Sequence, residues 1–365
     1  MSDPGERPFR WAILGTGAVA RKFALDLRQL GDRAVLQVVA SRRAENAAGF
    51  AADLGVADVA PDYAAAAGAD VDAVYIATPP AQHEAHALMA IAAGRAVLIE
   101  KPFALDAGAA ARITAAAQSA NVFCMEAMWT RFQPLSDTIK ARIDAGEIGE
   151  VRGFEARFMA ANQTDPQASL FDPARGGGAL MHRGIYPVSL ARFLLGPVAD
   201  SQAMGHVGET GVDEDSALML RHTSGAISTL RASLRANGPD GMAIYGTAGT
   251  LHITGPVWRP TGAVLKHTRP SPATPGGPRR FEALRESGAG LRLSGALGHL
   301  RGALGRGQTR IRAPFSGNGY HYEAQVVMQA VRQGHTEDPR MPLSQSIEIM
   351  QIIDAARTGW AGEQP

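Results

Sequence analysis

The sequence predicts an α/β protein in two parts: a parallel, doubly wound sheet domain, then an α+β domain built on a mostly antiparallel sheet. Three observations carry this. An apolar run, Phe9–Leu14, leads into Gly15-Thr16-Gly17-Ala18-Val19-Ala20 and then into a helical stripe. Strand and helix signals alternate up to about Met128, which implies parallel pairing with right-handed crossovers. After about Gly149, apolar residues alternate singly with polar ones, as in strands with one wet face.

The elements follow in order. Ala20, Phe23, Leu27 and Leu30 recur at helical spacing behind the first strand. Ala34–Ala40 is β-rich and Arg43–Leu54 reads as a helix. Ala73–Ala77 is a buried strand stopped by Thr78-Pro79-Pro80, and Ala85, Leu88, Met89 and Ala92 form a stripe ended by Gly94. Ala96–Glu100 is a strand, Asp106–Ser119 a helix and Asn121–Met125 a strand. In the second part Phe154, Ala156 and Phe158 alternate with polar residues. Ala217–Arg221 and Ala226–Ala232 flank a turn at Ser224-Gly225, and Met242–Gly246 and Thr250–Ile253 flank Ala248-Gly249, so two hairpins are expected. Two late helices, one through Ala324, Val327, Met328 and Val331 and one through Ile349, Ile352, Ile353 and Ala356, are placed near the domain junction. The expected division is 1–128, 129–340 and 341–365.

Trp258 to Pro314 reads differently. It is rich in Pro and Gly, and its arginines, among them Arg269, Arg279, Arg280, Arg285 and Arg301, face only Glu282 and Glu286. Leu293, Leu297, Leu300 and Leu304 fall at helical spacing, interrupted by glycines. The segment reads as a basic insert, either mobile surface or an arm for an anion or a partner.

The bulk properties set limits. A length of 365 residues exceeds one ordinary core. A net charge of +1 gives no global field for nucleic acid or an acidic membrane. A single cysteine, Cys124, excludes an internal disulfide and a cysteine-rich metal site, and no other metal-ligand cluster is evident. No run has transmembrane length and no signal core opens the chain, so the cytoplasm is expected.

The chemistry-bearing residues sit at strand ends. Gly15-x-Gly17-x-x-Ala20, between a strand and a helix, is the turn that holds a dinucleotide pyrophosphate. The second strand ends in Ser41-Arg42-Arg43, where a carboxylate would bind ribose hydroxyls. Two guanidiniums there suit a 2′-phosphate and hence NADP over NAD; the alternative is a solvated helix start. Ala96–Glu100 delivers Lys101, a rare lysine in an arginine-rich chain, to the strand C-termini, where ligands bind in open α/β sheets. Gly176-Gly177-Gly178-Ala179-Leu180-Met181-His182-Arg183-Gly184-Ile185-Tyr186-Pro187 reads as a glycine loop entering a helix. On a helix His182 and Tyr186 share a face, as a structural pair or as acid/base groups.

Together these segments resemble the glucose–fructose oxidoreductase/inositol dehydrogenase/MocA family, nearest its branch of dimeric dihydrodiol dehydrogenases and NADP-dependent D-xylose dehydrogenases. The resemblance rests on Ile13–Gly17, Ala40–Arg42, Tyr75–Pro79, Glu100-Lys101-Pro102, Met125–Phe132, Leu170–Pro173, Gly176–Leu180, Gly184–Pro187, Gly211–Glu214, Gly319–Ala324 and Met341–Leu343. It implies a Rossmann domain followed by a large open sheet, dimerisation through sheet faces, and hydride transfer with NADP. The substrate side would be a carbinol carbon of a sugar, polyol or cyclic diol. Lys101 would polarise the substrate oxygen, Tyr186 would be the acid/base, and His182 would bind or relay. Gly15, Thr16, Gly17, Ala18, Val19, Ser41, Arg42, Arg43, Thr78, Pro79, His83, Glu100 and Lys101 would form the cofactor site, with Trp129 and Arg131 close by. The sequence departs from the family in three places. His182 stands where an aspartate is usual, Pro80 where a polar residue is common, and the basic insert is extra. These departures keep a second reading open, an NADP-binding sensor or scaffold without turnover.

Overall fold

Strand β1 (Phe9–Leu14) lies inside a six-stranded, all-parallel sheet with β2 (Ala34–Ala40), β3 (Asp58–Val59), β4 (Ala73–Ile76), β5 (Ala96–Glu100) and β6 (Cys124–Ala127), in the order β3-β2-β1-β4-β5-β6. The computed structural model describes residues 7–268, 287–290, 292–293 and 308–361. The chain leaves β1 for β2 and β3, then returns to place β4 on the other side of β1. That reversal opens a crevice at the C-terminal ends of β1 and β4, and β5 ends beside it. Helices Ala18–Leu27, Ala44–Leu54, His83–Ala92 and Ala107–Ala120 cover the sheet with small and aromatic side chains. Trp11, Phe23 and Tyr75 are fully buried, and the last two rings stack at 3.8 Å.

The second sheet has eight strands: β7 (Val151–Met159), β8 (Val198–Val207), β9 (Asp213–His222), β10 (Ile227–Ser233), β11 (Gly241–Gly246), β12 (Gly249–Thr254), β13 (Gly262–His267) and β14 (Gln308–Arg312). Their order is β14-β13-β12-β11-β7-β10-β9-β8. β7 and β10 run parallel; the other described neighbours are antiparallel. Leu218, Leu220 and Leu230 turn inward, and helix Ile185–Leu195 packs on β7 and β10. Met219 and Arg221 alternate outward.

Helix Leu343–Ala361 returns to helix Ala107–Ala120. Asp354 accepts a hydrogen bond from the amide of Ala107 at 2.7 Å, which caps that helix's N-terminus. Helix Tyr320–Arg332 packs on helix Ala18–Leu27, and Asp26 accepts the amides of Asn318 and Tyr320 at 2.8 Å each.

Two expectations are revised. Asn121 does not begin a strand: at φ 52° it caps the preceding helix, and β6 starts at Cys124. The basic insert is narrower than 258–314, because its two ends are strands β13 and β14. Ala263, Leu265 and Ile311 are buried there, while Lys266, Arg310 and Arg312 take the outward positions, so the arginines hide the alternation. Leu297, Leu300 and Leu304 lie outside the described residues. Among the described residues no helix is long and apolar enough to cross a membrane.

Candidate active site

The glycine turn continues the β ladder. The amide of Gly15 donates to Ala40 O, and that of Ala77 to Leu14 O, both at 2.9 Å. Gly15 has φ +105°, and a Cβ there would stand 2.6 Å from the carbonyl oxygen of Ala77. Gly17 leads into helix Ala18–Leu27 with open space on its Cβ side. No acidic residue occupies that helix's first turn, so its free amides and positive end face outward. Thr16 Oγ1 donates to Ser41 Oγ at 3.2 Å, tying the turn to the end of β2. Arg42 and Arg43 follow, both exposed and neither ion-paired through its guanidinium among the described residues.

The ends of β4 and β5 are tied to one another. His83 is fully buried, with Nε2 2.8 Å from Thr78 O and Nδ1 2.9 Å from Pro102 O. Burial pushes its imidazole down to about 4, so the neutral ring donates to one carbonyl and spans both loops. Thr78 is buried against His86, and Pro79 is exposed at the start of the next turn. Glu100 accepts from Tyr75 Oη at 2.5 Å and from the amide of Lys101 at 3.1 Å. Burial pushes its carboxyl above the ordinary range. Both its oxygens are therefore used in placing Lys101, whose Nζ reaches His182 O at 3.4 Å and lies 4.9 Å from the Tyr186 ring centre.

The second domain supplies the opposite wall. The loop Gly176–Gly178 enters a π-helical turn, Leu180–Gly184, ahead of helix Ile185–Leu195. Asp213 fixes that turn by accepting the amide of Leu180 at 2.7 Å, and a Cβ at Gly178, φ +119°, would meet its carboxylate at 2.1 Å. His182 therefore reaches the cavity from the widened turn, and Tyr186 from the first turn of the α-helix that follows it. Tyr186 is 7% exposed, and its hydroxyl accepts from Trp129 Nε1 at 3.3 Å. Trp129 in turn stacks on Tyr320 at 4.6 Å. Nε2 of His182 is buried with no hydrogen-bond partner among the described residues. Burial, then the charges of Lys101 and Arg183, push this imidazole down to about 3, so it is neutral.

The cavity where these groups meet has a volume of about 340 Å³. Val19, Lys101, Trp129, His182 and Tyr186 line it, together with Lys22, Phe158, Trp258, Arg259, Asn318 and Tyr320, which sequence reasoning did not place there. Tyr320 was visible only as part of the Gly319–Ala324 motif, and Trp258 only as the start of the basic segment. Arg131 lies elsewhere. It is fully buried and donates to Ser189 Oγ, Ser189 O, Arg340 O and Gln345 Oε1 at 2.6–2.9 Å, so it braces the junction instead of facing the cavity.

Comparison with known proteins follows the same division. Residues 9–128 match the oxidoreductase family with an NAD-binding Rossmann fold, and residues 136–252 match the GFO/IDH/MocA C-terminal domain. Trans-1,2-dihydrobenzene-1,2-diol dehydrogenase of Oryctolagus cuniculus is 30% identical over 351 residues, 94% of this chain and 96% of the relative. The Homo sapiens protein of that name is 29% identical over 353 residues, 95% of this chain and 96% of the relative. Among solved structures, the 3-ketoreductase KijD10 of Actinomadura kijaniata, in complex with NADP and TDP-benzene, superposes with a TM-score of 0.75 at 24% identity, over 97% of this chain and 98% of that one. Levoglucosan dehydrogenase, in complex with NADH and levoglucosan, superposes with a TM-score of 0.80 at 19% identity, over 98% of both chains.

Proposed function

The chain belongs to the GFO/IDH/MocA oxidoreductase family, and from that premise we propose an NADP-dependent oxidoreductase acting on a CH–OH group of a sugar, polyol or cyclic diol. The observation that carries this reading is the convergence of Lys101, Tyr186 and His182 in one cavity next to the first helix. The residues present suit a nicotinamide dinucleotide. The open approach at Gly17 and the free helix N-terminus suit a diphosphate, and two unpaired arginines at the end of β2 suit a 2′-phosphate.

When bound, the nicotinamide ring accepts or supplies a hydride at C4. The chain's own residues handle the substrate oxygen and its proton. In the oxidising direction the carbinol hydroxyl loses its proton as its carbon loses hydride, leaving a carbonyl. Lys101 Nζ donates a hydrogen bond to that oxygen and stabilises its developing negative charge. Tyr186 Oη, held by the Trp129 indole, is the acid/base that passes the proton onward. Glu100 and Tyr75 hold the strand end so that Lys101 leaves β5 toward the cavity.

The test is initial-rate measurement with NADP and NAD over a panel of aldoses, polyols and cyclic diols. NADP is expected to bind about tenfold or more tightly than NAD, and Arg42→Ala to narrow the gap, since one charge-assisted pair contributes about 1.5–3 kcal/mol. Equal affinities in titration calorimetry would remove Arg42 from cofactor choice.

We also infer that a second copy covers the outer face of β8–β10. Met204, Met219 and Ile227 are 76%, 52% and 45% exposed on that face, three large apolar side chains open to solvent among Gln202, Arg221 and Arg231. Light scattering should read at least a dimer for the parent and a monomer for Met219→Glu.

A further inference from the structure

The wall of the candidate active site is out of charge balance. Lys22, Lys101, Arg183 and Arg259 line a cavity of about 340 Å³, and Glu100 is the one carboxylate among the lining residues. Both Glu100 oxygens are committed to Tyr75 and to the amide of Lys101. Lys22 projects from the first helix, on the side of the diphosphate turn, so a bound cofactor accounts for it. Three cations remain against one carboxylate, and the oxidised nicotinamide ring adds a further positive charge.

Arg183 is the sharpest case. It is 8% exposed, and its terminal nitrogens bond only neutral acceptors: Ala160 O, Ser233 O and Asn162 Oδ1. Asp240 is the carboxylate whose charge acts on it, yet among the described residues the two form no ion pair, and Asp240 accepts the amide of Met159. Buried charges are ordinarily paired, because an unpaired ion pays the full loss of hydration. Among the described residues Arg259 likewise has no ion pair; its guanidinium lies 5.1 Å from the Trp258 ring centre and 5.9 Å from that of Phe315. His182 lines the same cavity, and its buried Nε2 has no hydrogen-bond partner among the described residues. The residue that would carry a carboxylate in the family resemblance is thus a neutral ring with an unused polar atom.

We propose that the substrate of this site is an anion, a polyhydroxy compound carrying a carboxylate or phosphate group, which Arg183, Arg259 and Nε2 of His182 receive while its carbinol carbon faces Lys101 and Tyr186. The proposal deepens the oxidoreductase reading and rests on it for the reaction, but the charge selectivity is measurable by binding alone. An aspartate at position 182 would suit a neutral polyol, whose hydroxyls need an acceptor. A neutral histidine beside two guanidiniums suits an acceptor-rich anion. The small volume fits a compact acid better than a nucleotide-linked sugar.

Trp129 and Trp258 both line the cavity, so indole fluorescence reports its occupancy directly. The probes are matched pairs: D-gluconate with D-glucitol, and glucose 6-phosphate with glucose, each titrated into the full chain with and without saturating NADP. At least one charged member is expected to bind about tenfold or more tightly than its neutral partner, the value of one charge-assisted contact. The pair that discriminates tells carboxylate from phosphate. Arg259→Ala and His182→Asp should each cut the preference about tenfold, and His182→Asp should raise affinity for the neutral member. Equal affinity within both pairs, no saturable change with either anion, or a preference surviving both substitutions would overturn the proposal. Failure of the oxidoreductase reading shows separately, as absence of NADP or NAD binding whatever the anions do.

Discussion

Replacing Lys101 by alanine is expected to lower kcat by about 10²–10⁴, the range general acid/base and oxyanion stabilisation supply, with NADP affinity changed no more than a few-fold. Among the described residues, Lys101 Nζ reaches His182 O and the face of Tyr186, both groups of the wall that the second domain supplies. Its removal takes away a donor to the reacting oxygen without touching Gly15, Gly17 or the end of β2. The loss should fall on kcat and kcat/KM together, since the interaction strengthens as charge develops. Arginine should not rescue it, because the bulkier planar fork does not fit where the ammonium packs against the Tyr186 ring. Steady-state kinetics with calorimetric titration of NADP checks both halves, and a variant keeping most of its kcat would take Lys101 out of the mechanism.

The second large effect is expected from Gly15→Ala, set against Gly17→Ala two residues on. Gly15 combines φ +105° with a Cβ position 2.6 Å from a backbone oxygen. That oxygen belongs to Ala77, whose own amide is bonded to Leu14 O, so neither partner can step aside. The unfavourable dihedral alone costs about 1–3 kcal/mol, and the clash adds to it. The variant should unfold at clearly lower denaturant and bind NADP at least about tenfold more weakly. Gly17 has an ordinary φ of −71° and open space around its Cβ. Alanine there should leave stability unchanged and weaken only the cofactor, whose diphosphate needs that space. Equal stabilities of the two variants in denaturant titration would contradict this account of the turn.

Much of this is legible in the sequence. The apolar runs of β1, β4 and β5 are buried on both faces, so their hydrophobicity is continuous and their ends are marked by Gly, Thr-Pro and Lys-Pro. Of the residues that local chemistry singles out, Lys101, His182 and Tyr186 come together because the end of β5 meets the π-helical turn and the start of helix Ile185–Leu195. What stayed hidden has physical reasons. Trp258 and Arg259 reach the cavity from the connection between β12 and β13, and Asn318 from a loop held by Asp26, 292 positions away, so no periodic run marks them. The π-helical turn at Leu180–Gly184 depends on Asp213, a contact 33 residues away that no local pattern encodes. Arg131, which the resemblance places close to the cofactor, spends its donors on Ser189, Arg340 and Gln345, contacts 58 to 214 positions away that no local pattern marks.

The bonds from Asp26 to Asn318 and Tyr320 have a consequence for how the chain is made. They join residues 292 and 294 positions apart, and the cap on the helix at Ala107 likewise comes from Asp354, 247 positions on. The nucleotide-binding half emerges first from the ribosome, but the carboxylate of its first helix lacks its backbone donors until residues 318–320 have been synthesised. At about 5–20 residues per second, that interval lasts on the order of ten seconds to a minute. During it the nascent half carries an unsealed flank, so completion of the last two helices, and not of the first sheet, marks the moment at which vectorial synthesis yields a closed molecule.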